Sequence, residues 1–495
     1  MSLRAKGGWT VGVVALAAVA LAALAPAGQP PVGSLVQLSA GGGCFRAGPN
    51  RERCGPAVAI GGGPIVASAD GRSVYVAGLT SLAVFARGGG GALRQLGGRA
   101  GCVDYRVVIG EPRANARCST GKLLWPTSAT LSRDGRNLYV ASWAYDPHGD
   151  RSDNYSDLAV FARNRRTGAV RELAGRLGCL GPSTRGGCTV GRALSGPESV
   201  VASPDGRDVY VGSFGGLAVF ARNPGSGALH QLRGAAGCLL APAGMARCSH
   251  RGPGAQLWPA VLAASADGRN VYALTASAKG DALLVLRRDP TTGALTRFAS
   301  RDGCIATPAL SGSGCTAAAS FVGPSFCFSL AVSTDGKNVY LGSCGDLTVF
   351  SRAAGTGGLT QLPGPDGCID ASGPPGHPCA GDTGTEPQTG IAISPDGKNL
   401  YFVFNVGRSS PATATTQPGG ITAFSRNPTD GSLVRLRANG CVTETGSRGA
   451  CTKGRGIESP RGLAISPDGR NVYTSGFAGR SCCRDGDVAA FRRAT

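Results

Sequence analysis

The chain is short of the residues that most enzymes depend on. It has four histidines, at 148, 230, 250 and 377, in 495 residues, and none recurs at a fixed interval. It contains no G-x-S-x-G elbow, no H-E-x-x-H and no phosphate-binding P-loop, which excludes the commonest serine-hydrolase, zinc-protease and nucleotide-hydrolase signatures. The cysteines lack zinc-site spacing and have no nearby histidines, so no metal or other cofactor is expected. Acid is scarce as well. Thirty Asp and Glu face 50 Lys and Arg, a formal charge of +20. The basic residues are mostly arginine, and they are scattered. They form no run interleaved with aromatics, which argues against specific nucleic-acid binding and leaves a general affinity for polyanions.

After the first 27 residues, no apolar stretch approaches the roughly 18 residues needed to span a bilayer. The first 27 combine Arg4 and Lys6 with an apolar run from Val11 to Ala25 and an Ala25-Pro26-Ala27 cleavage site. This is the pattern of a secretory signal peptide, so the expected mature domain is 28–495, outside the cytoplasm and free of the membrane.

What the chain has in abundance is one repeated phrase. Ser-x-Asp-Gly-Arg/Lys-x-Val/Leu-Tyr begins at Ser68, Ser132, Ser203, Ser265, Ser333, Ser394 and Ser466, and its Asp-Gly pairs are 61 to 72 residues apart. In the third copy, Val200–Ala202 is apolar and Asp205-Gly206 supplies a hairpin turn. Val209–Val211 is β-branched and aromatic, Leu217–Arg222 is a third strand, and Ala228–Leu232 a fourth. Seven four-stranded antiparallel meanders predict an all-β, seven-bladed propeller, a fold whose size is not limited by a single core. The last repeat ends after its third strand, while Gly33–Leu38 matches the fourth strand Gly91–Leu96. The N-terminal strand is therefore expected to complete the seventh blade.

Fourteen of the 18 cysteines form close pairs, one after each fourth strand: Cys44/Cys54, Cys102/Cys118, Cys179/Cys188, Cys238/Cys248, Cys304/Cys315, Cys368/Cys379 and Cys441/Cys451. Each pair is expected to be a disulfide that pins its own loop. Such bonds would suit an exported protein and contribute about 2–4 kcal/mol each. Cys327 and Cys344 flank the fifth Asp-Gly turn symmetrically and are expected to pair across the hairpin if that turn has two residues. Cys482 and Cys483 are adjacent, and the sequence leaves them either bonded or reduced.

Alternating strands put both kinds of tight turn on one face of the disc. The opposite face receives the disulfide loops and three insertions, 142–157, 405–420 and 476–487. Long loops on a rigid scaffold are where binding residues collect. A proline precedes most inner strands, at Pro126, Pro197, Pro259, Pro387 and Pro460, and the next residue should reach the channel mouth. Those residues are Thr127, Glu198, Ala260, Gln388 and Arg461. The charged two, Glu198 and Arg461, are the candidate catalytic pair, set against a paired or solvated pore rim. Thr127, Gln388 and Trp143 are candidate ligand contacts. Trp125 and Trp258, each just before such a proline, read as core packing. The acidic insertion Asp146–Asp157 lacks calcium-loop order. The repeated Asp of the motif reads as a turn residue.

The phrases Ser394–Tyr401 and Leu217–Asn223, the latter followed by Gly227-Ala228-Leu229, resemble the lactonase-type seven-bladed propellers. That group includes bacterial 6-phosphogluconolactonases, carboxymuconate cyclases and YVTN-repeat surface proteins. The resemblance covers nearly all of the mature chain. It implies a site of His, Arg and Glu at the channel mouth, with Glu198 and Arg461 as counterparts; no histidine here falls at an equivalent position. The expectation is thus a secreted or wall-associated monomeric propeller. It would bind a small molecule, a protein or a wall polymer on the long-loop face. The alternative is a secreted lactonase-like hydrolase.

Overall fold

The computed structural model describes residues 30–495 apart from 40, 49–52, 106–116, 144–156, 185–186, 242–246, 250–257, 278–279, 309, 311–313, 319–327, 344–345, 371–378, 382–387, 405–418, 438–439 and 479–485; at 258, 388, 389 and 448 only the backbone is described. The expected signal peptide, 1–27, and Cys327, Cys344, Cys482, Cys483, His148, His250 and His377 therefore lie outside the described residues.

The chain forms seven sheets, one per repeat, each built on an antiparallel meander. Blade 3 runs from the inner strand Pro197–Ala202 through Asp208–Ser213 and Gly216–Arg222 to Leu229–Gln231. Each Asp-Gly turn follows from the motif. In blade 1 the Ser68 hydroxyl donates to Asp70 Oδ1 at 2.6 Å and accepts the Ser73 amide at 3.0 Å. Gly71, at φ +68°, occupies the left-handed position the turn demands.

The fourth strand differs from a simple edge. It is split in two, and both halves pair with the third strand. In blade 2, Val170–Glu172 covers one end of Asp157–Arg163 and Cys179–Gly181 covers the other, with a 3-10 turn at 175–178 between them. A two-residue parallel strand, Thr189–Val190, then lies outside Cys179–Gly181. Six blades carry such a strip among the described residues.

All seven expected cysteine pairs are bonded: Cys44–Cys54, Cys102–Cys118, Cys179–Cys188, Cys238–Cys248, Cys304–Cys315, Cys368–Cys379 and Cys441–Cys451, with Cα atoms 4.7 to 4.9 Å apart. Their placement corrects the picture of bonds in loops beyond the sheet. The first cysteine of every pair opens the second half-strand, so it belongs to the sheet itself. The second cysteine stands immediately before the outer strip: Cys54 before Gly55–Pro56, Cys118 before Ser119–Thr120, Cys188 before Thr189–Val190, Cys315 before Thr316–Ala317, Cys379 before Ala380–Gly381 and Cys451 before Thr452–Lys453. Cys248 of blade 3 holds the same place, but no strip follows it among the described residues. The bond thus fixes the point where the returning chain meets the sheet, which lets a strand of only two residues pair in register. The sequence spacing showed which cysteines meet and not that both flank paired strands.

The N-terminal segment supplies all of this to blade 7. Leu35–Gln37 and Cys44–Arg46 both pair with the last strand, Gly486–Arg493, and Gly55–Pro56 forms the outer strip. Closure is thus made by both half-strands, the disulfide and the strip together.

Seven apolar clusters fill the seams between neighbouring blades, and the motif tyrosines are among the largest fully buried side chains. Each hydroxyl is satisfied across the seam. Tyr75 Oη donates to the Gly168 carbonyl of blade 2 at 2.6 Å and accepts from Arg163 Nε. Arg163 ends the third strand of blade 2 and also binds Asp70 of blade 1 at 2.9 Å. The same latch recurs at every seam. Arg222 binds Asp134, Arg288 binds Asp205, Arg352 binds Asp267, Arg426 binds Asp335, Arg493 binds Asp396, and Arg87 binds Asp468 across the closure. The motif Asp is therefore more than a turn residue: one carboxylate orders its own turn and anchors the next blade. Burial opposes its ionisation, but hydrogen bonds from Ser, Arg and backbone outweigh that, and all seven pKa values lie below the usual aspartate value.

Candidate functional site

The inner strands carry a regular defect at the end opposite the tight turns. In blade 3, Pro197 pairs with Ser213 and Ser199 with Gly212, which leaves Glu198 as an extra residue. Such a bulge re-aims the side chain it carries. Thr127, Ala260 and Arg461 occupy the same bulge in blades 2, 4 and 7. Blade 6 is shifted from the expectation. Gln388 pairs with Phe404 and Gly390 with Val403, so the bulged residue is Thr389 and Gln388 takes the place filled elsewhere by proline. The cause is visible in the spacing: Pro387 stands seven residues before its motif serine, whereas Pro197 stands six before Ser203.

The bulges of blades 2, 3 and 7 border a cavity of about 690 Å³ on the long-loop side, within the usual range for small-molecule sites. Glu198, Arg461, Thr127 and Trp143 all line it. Hydrogen bonds between blades fix the backbone around Glu198. Ser128 Oγ accepts the Val200 amide at 3.1 Å, and Ser199 Oγ accepts the Leu262 amide at 3.0 Å.

The Glu198 carboxyl makes no hydrogen bond or ion pair among the described residues. Burial pushes its pKa up to about 7. Arg461 is exposed, and its guanidinium lies over the Phe477 ring, 4.9 Å from the centroid. The two charged groups share the cavity without forming an ion pair. Thr127 contributes wall rather than a free hydroxyl, because its Oγ1 lies 2.8 Å from the Pro197 carbonyl and 3.2 Å from that of Ala141.

The rest of the lining is mostly glycine, proline and aliphatic residues, with four aromatic side chains among them. Trp143 packs edge-on against Phe214, with centroids 5.0 Å apart. Trp125 does not serve the core as expected. It is 44% exposed, lines the cavity, and holds a left-handed backbone at φ +51°. That conformation costs a bulky residue about 1–2 kcal/mol, and strain of this kind concentrates at functional sites. Phe328 and Phe477 are the other two rings, and Ile65, Leu79, Ile391 and Leu463 add aliphatic surface. Sequence reading missed Phe328 because no proline marks its blade, although it follows the position six residues before Ser333. His230 sits on the outer half-strand Leu229–Gln231, away from the cavity. Among the described residues there is no group of three or more potential metal ligands.

The fold and this cavity define a seven-bladed β-propeller with a recessed cavity at one mouth of its central channel. No family model matches the chain, and no curated protein matches it. Among solved structures, it is similar to a 6-phosphogluconolactonase candidate from Bacteroides uniformis, at 21% identity over 83% of this chain and 87% of that one, with a TM-score of 0.45. It is also similar to the periplasmic gluconolactonase of Pseudomonas aeruginosa, at 18% identity over 83% and 87%, TM-score 0.46. A third match is the Cps50 β-propeller domain of Myceliophteria thermophila, at 11% identity over 86% and 95%, TM-score 0.44. Likenesses this distant carry nothing about activity.

Proposed function

We propose that this is an exported, disulfide-stabilised binding propeller whose ligand is a small ring-bearing molecule held at the channel mouth. The observation that carries the reading is the half-buried carboxyl of Glu198, without a partner among the described residues, in a cavity that also contains Arg461 and four aromatic side chains. Partial burial of a carboxylate carries a desolvation cost, and a bound ligand hydroxyl would relieve that cost. Trp125, Trp143 and Phe328 offer flat apolar surface to a ring, and Arg461 offers donors to a carbonyl or carboxylate oxygen. Export is supported by the seven intrachain disulfides, which persist in oxidising compartments. Among the described residues, no helix is long and apolar enough to cross a membrane.

The pKa of Glu198 favours a second reading, lactone hydrolysis. A carboxylate that titrates near 7 is suited to general-base work at neutral pH. It would take a proton from water as the oxygen attacks the lactone carbonyl carbon. The ring C–O bond would break, and the proton would pass to the leaving alkoxide. Arg461 would stabilise the developing oxyanion.

One experiment separates the two. Unphosphorylated sugar and aromatic lactones, and their open acids, are titrated calorimetrically against wild type, Glu198→Gln and Arg461→Ala, and ring opening is followed in parallel. Saturable binding lost in both variants, without turnover, gives the binding protein. Turnover lost in both gives the hydrolase. Neither binding nor turnover in wild type removes both readings.

A further inference from the structure

The opposite face of the disc holds a second cleft that the channel-mouth reading does not involve. Its volume is about 790 Å³. It lies where the Asp70 turn of blade 1, the Asp134 turn of blade 2 and the Asn164 turn of blade 2 meet. Four arginines line it: Arg72, Arg133, Arg165 and Arg166. All four are exposed, and none joins an ion pair among the described residues. The two carboxylates in the cleft cannot balance them. Asp70 is held by Arg163 and Asp134 by Arg222, each at 2.9 Å.

Repeat geometry accounts for one of the four. The residue after Asp-Gly is Arg or Lys in every blade, from Arg72 to Arg470. The other three depart from the repeat. Where blade 2 has Arg133, the other blades have alanine, proline or threonine, as at Ala69, Pro204 and Thr334. Where it has Arg165-Arg166, blade 4 has Pro290-Thr291. The turn itself does not call for arginine, because the Asn164 side chain caps it by accepting the Arg166 and Thr167 amides at 2.9 and 3.2 Å. The Asp289 turn of blade 4 is capped in the same way without a cation. Three substitutions away from the repeat therefore converge on one cleft, where like charges repel and no ion pair among the described residues offsets them.

We propose that this cleft is a binding site for a phosphate-bearing anion. Guanidinium forks match the geometry of phosphate oxygens, and a phosphate group concentrates up to two charges and three acceptors in a small volume. A single carboxylate supplies one charge. Pyrophosphate or adjacent phosphates of a polymer would engage several of the four guanidiniums together.

The test uses the mature protein and two triple variants of equal charge change. The first replaces the cleft residues with those of sister blades: Arg133→Ala, Arg165→Pro and Arg166→Thr. The second removes ring cations elsewhere: Arg207→Ala, Lys398→Ala and Arg470→Ala. Pyrophosphate and long-chain polyphosphate are titrated at low ionic strength, with citrate as the carboxylate control. Thermal unfolding verifies that each variant is folded. The cleft variant should bind at least about tenfold more weakly than wild type, the loss expected for one or more charged hydrogen bonds. The ring variant should stay within about threefold of wild type, and citrate should bind more weakly than pyrophosphate. Tighter binding of polyphosphate than of pyrophosphate would identify the source as a polymer; the reverse would identify a free phosphate compound. Equal losses in both variants, equal affinity for citrate, or no saturable binding in wild type would overturn the assignment.

Discussion

The Arg87 guanidinium donates to the Tyr473 hydroxyl at 2.8 Å, joining residues 386 positions apart. The same guanidinium binds Asp468 at 2.7 Å. This latch closes the ring, yet it repeats the chemistry of every internal seam. Arg87→Met should therefore destabilise the fold by about 1.5–3 kcal/mol, the range for hydrogen bonds to charged groups. A double-mutant cycle with Asp468→Ala in urea should return a coupling energy well above the ~0.5 kcal/mol of an exposed pair, because the Arg87 side chain is only 7% exposed. Additivity of the two losses would mean that the Arg87–Asp468 pair adds nothing to closure.

Stability should peak in mildly acidic solution. The seven latch aspartates have folded pKa values below the 3.8 they would show unfolded. Their contribution is complete above pH 3.8 and is lost as the pH falls through the folded values. Burial acts the other way on Asp281, Asp346 and Glu198, raising them to about 6, 7 and 7. These protons are retained only by the folded chain, so stability also declines as pH rises from about 4 towards 7. Urea midpoints against pH should show a maximum near pH 4–5. A plateau extending to pH 8 would contradict this balance.

Glu198→Gln isolates one member of that set. The variant should match wild type in melting temperature at pH 4.5, where the folded carboxyl is protonated. At pH 8 it should melt higher, because it no longer carries a half-buried charge that has no partner among the described residues. Any wild-type activity or ligand affinity that needs the carboxylate should rise with a midpoint near pH 7 and be absent from the variant at all pH values.

Trp125→Gly should separate stability from ligand affinity. Glycine accepts φ +51° without strain, so the fold should hold its melting temperature or gain up to about 1 kcal/mol. The cavity loses a flat wall, so binding of any ring-bearing ligand should weaken by about tenfold or more. Calorimetry and a thermal scan of the same preparation measure both effects.

The blade count could be read from the sequence because the Asp-Gly turn needs a fixed set of residues, Ser to cap, Asp to accept and Gly at positive φ, and so leaves a repeated trace. The latches left an equally regular trace in Arg87, Arg163, Arg222 and their kin at the ends of third strands. It was hidden because an arginine-rich chain makes any one arginine look ordinary. Cysteine spacing gave the bonded pairs, but the outer strips behind Cys188 and Cys451, two residues long, are too short to alternate visibly. At the channel mouth, counting one residue past the proline reached Glu198 and Arg461, whose bulges fall at that place. It failed in blade 6, where Pro387 comes one residue early, and it was silent in blade 5, where Phe328 follows no proline. Trp125 was misjudged because a tryptophan among apolar neighbours reads as core. Only its backbone angle and exposure reveal that it faces the cavity.

The Gly33 amide donates to the Ala494 carbonyl at 2.8 Å, so the two ends of the folded domain lie side by side. Only a short tether would be needed to join them. The chain could then be opened at a turn between a third and a fourth strand, such as the exposed Gly355 turn, with every latch still in place. The position of the seam is thus a property of this gene product and not of the ring. Circular permutants should rebuild the same disc with a different blade completed by the new first strand.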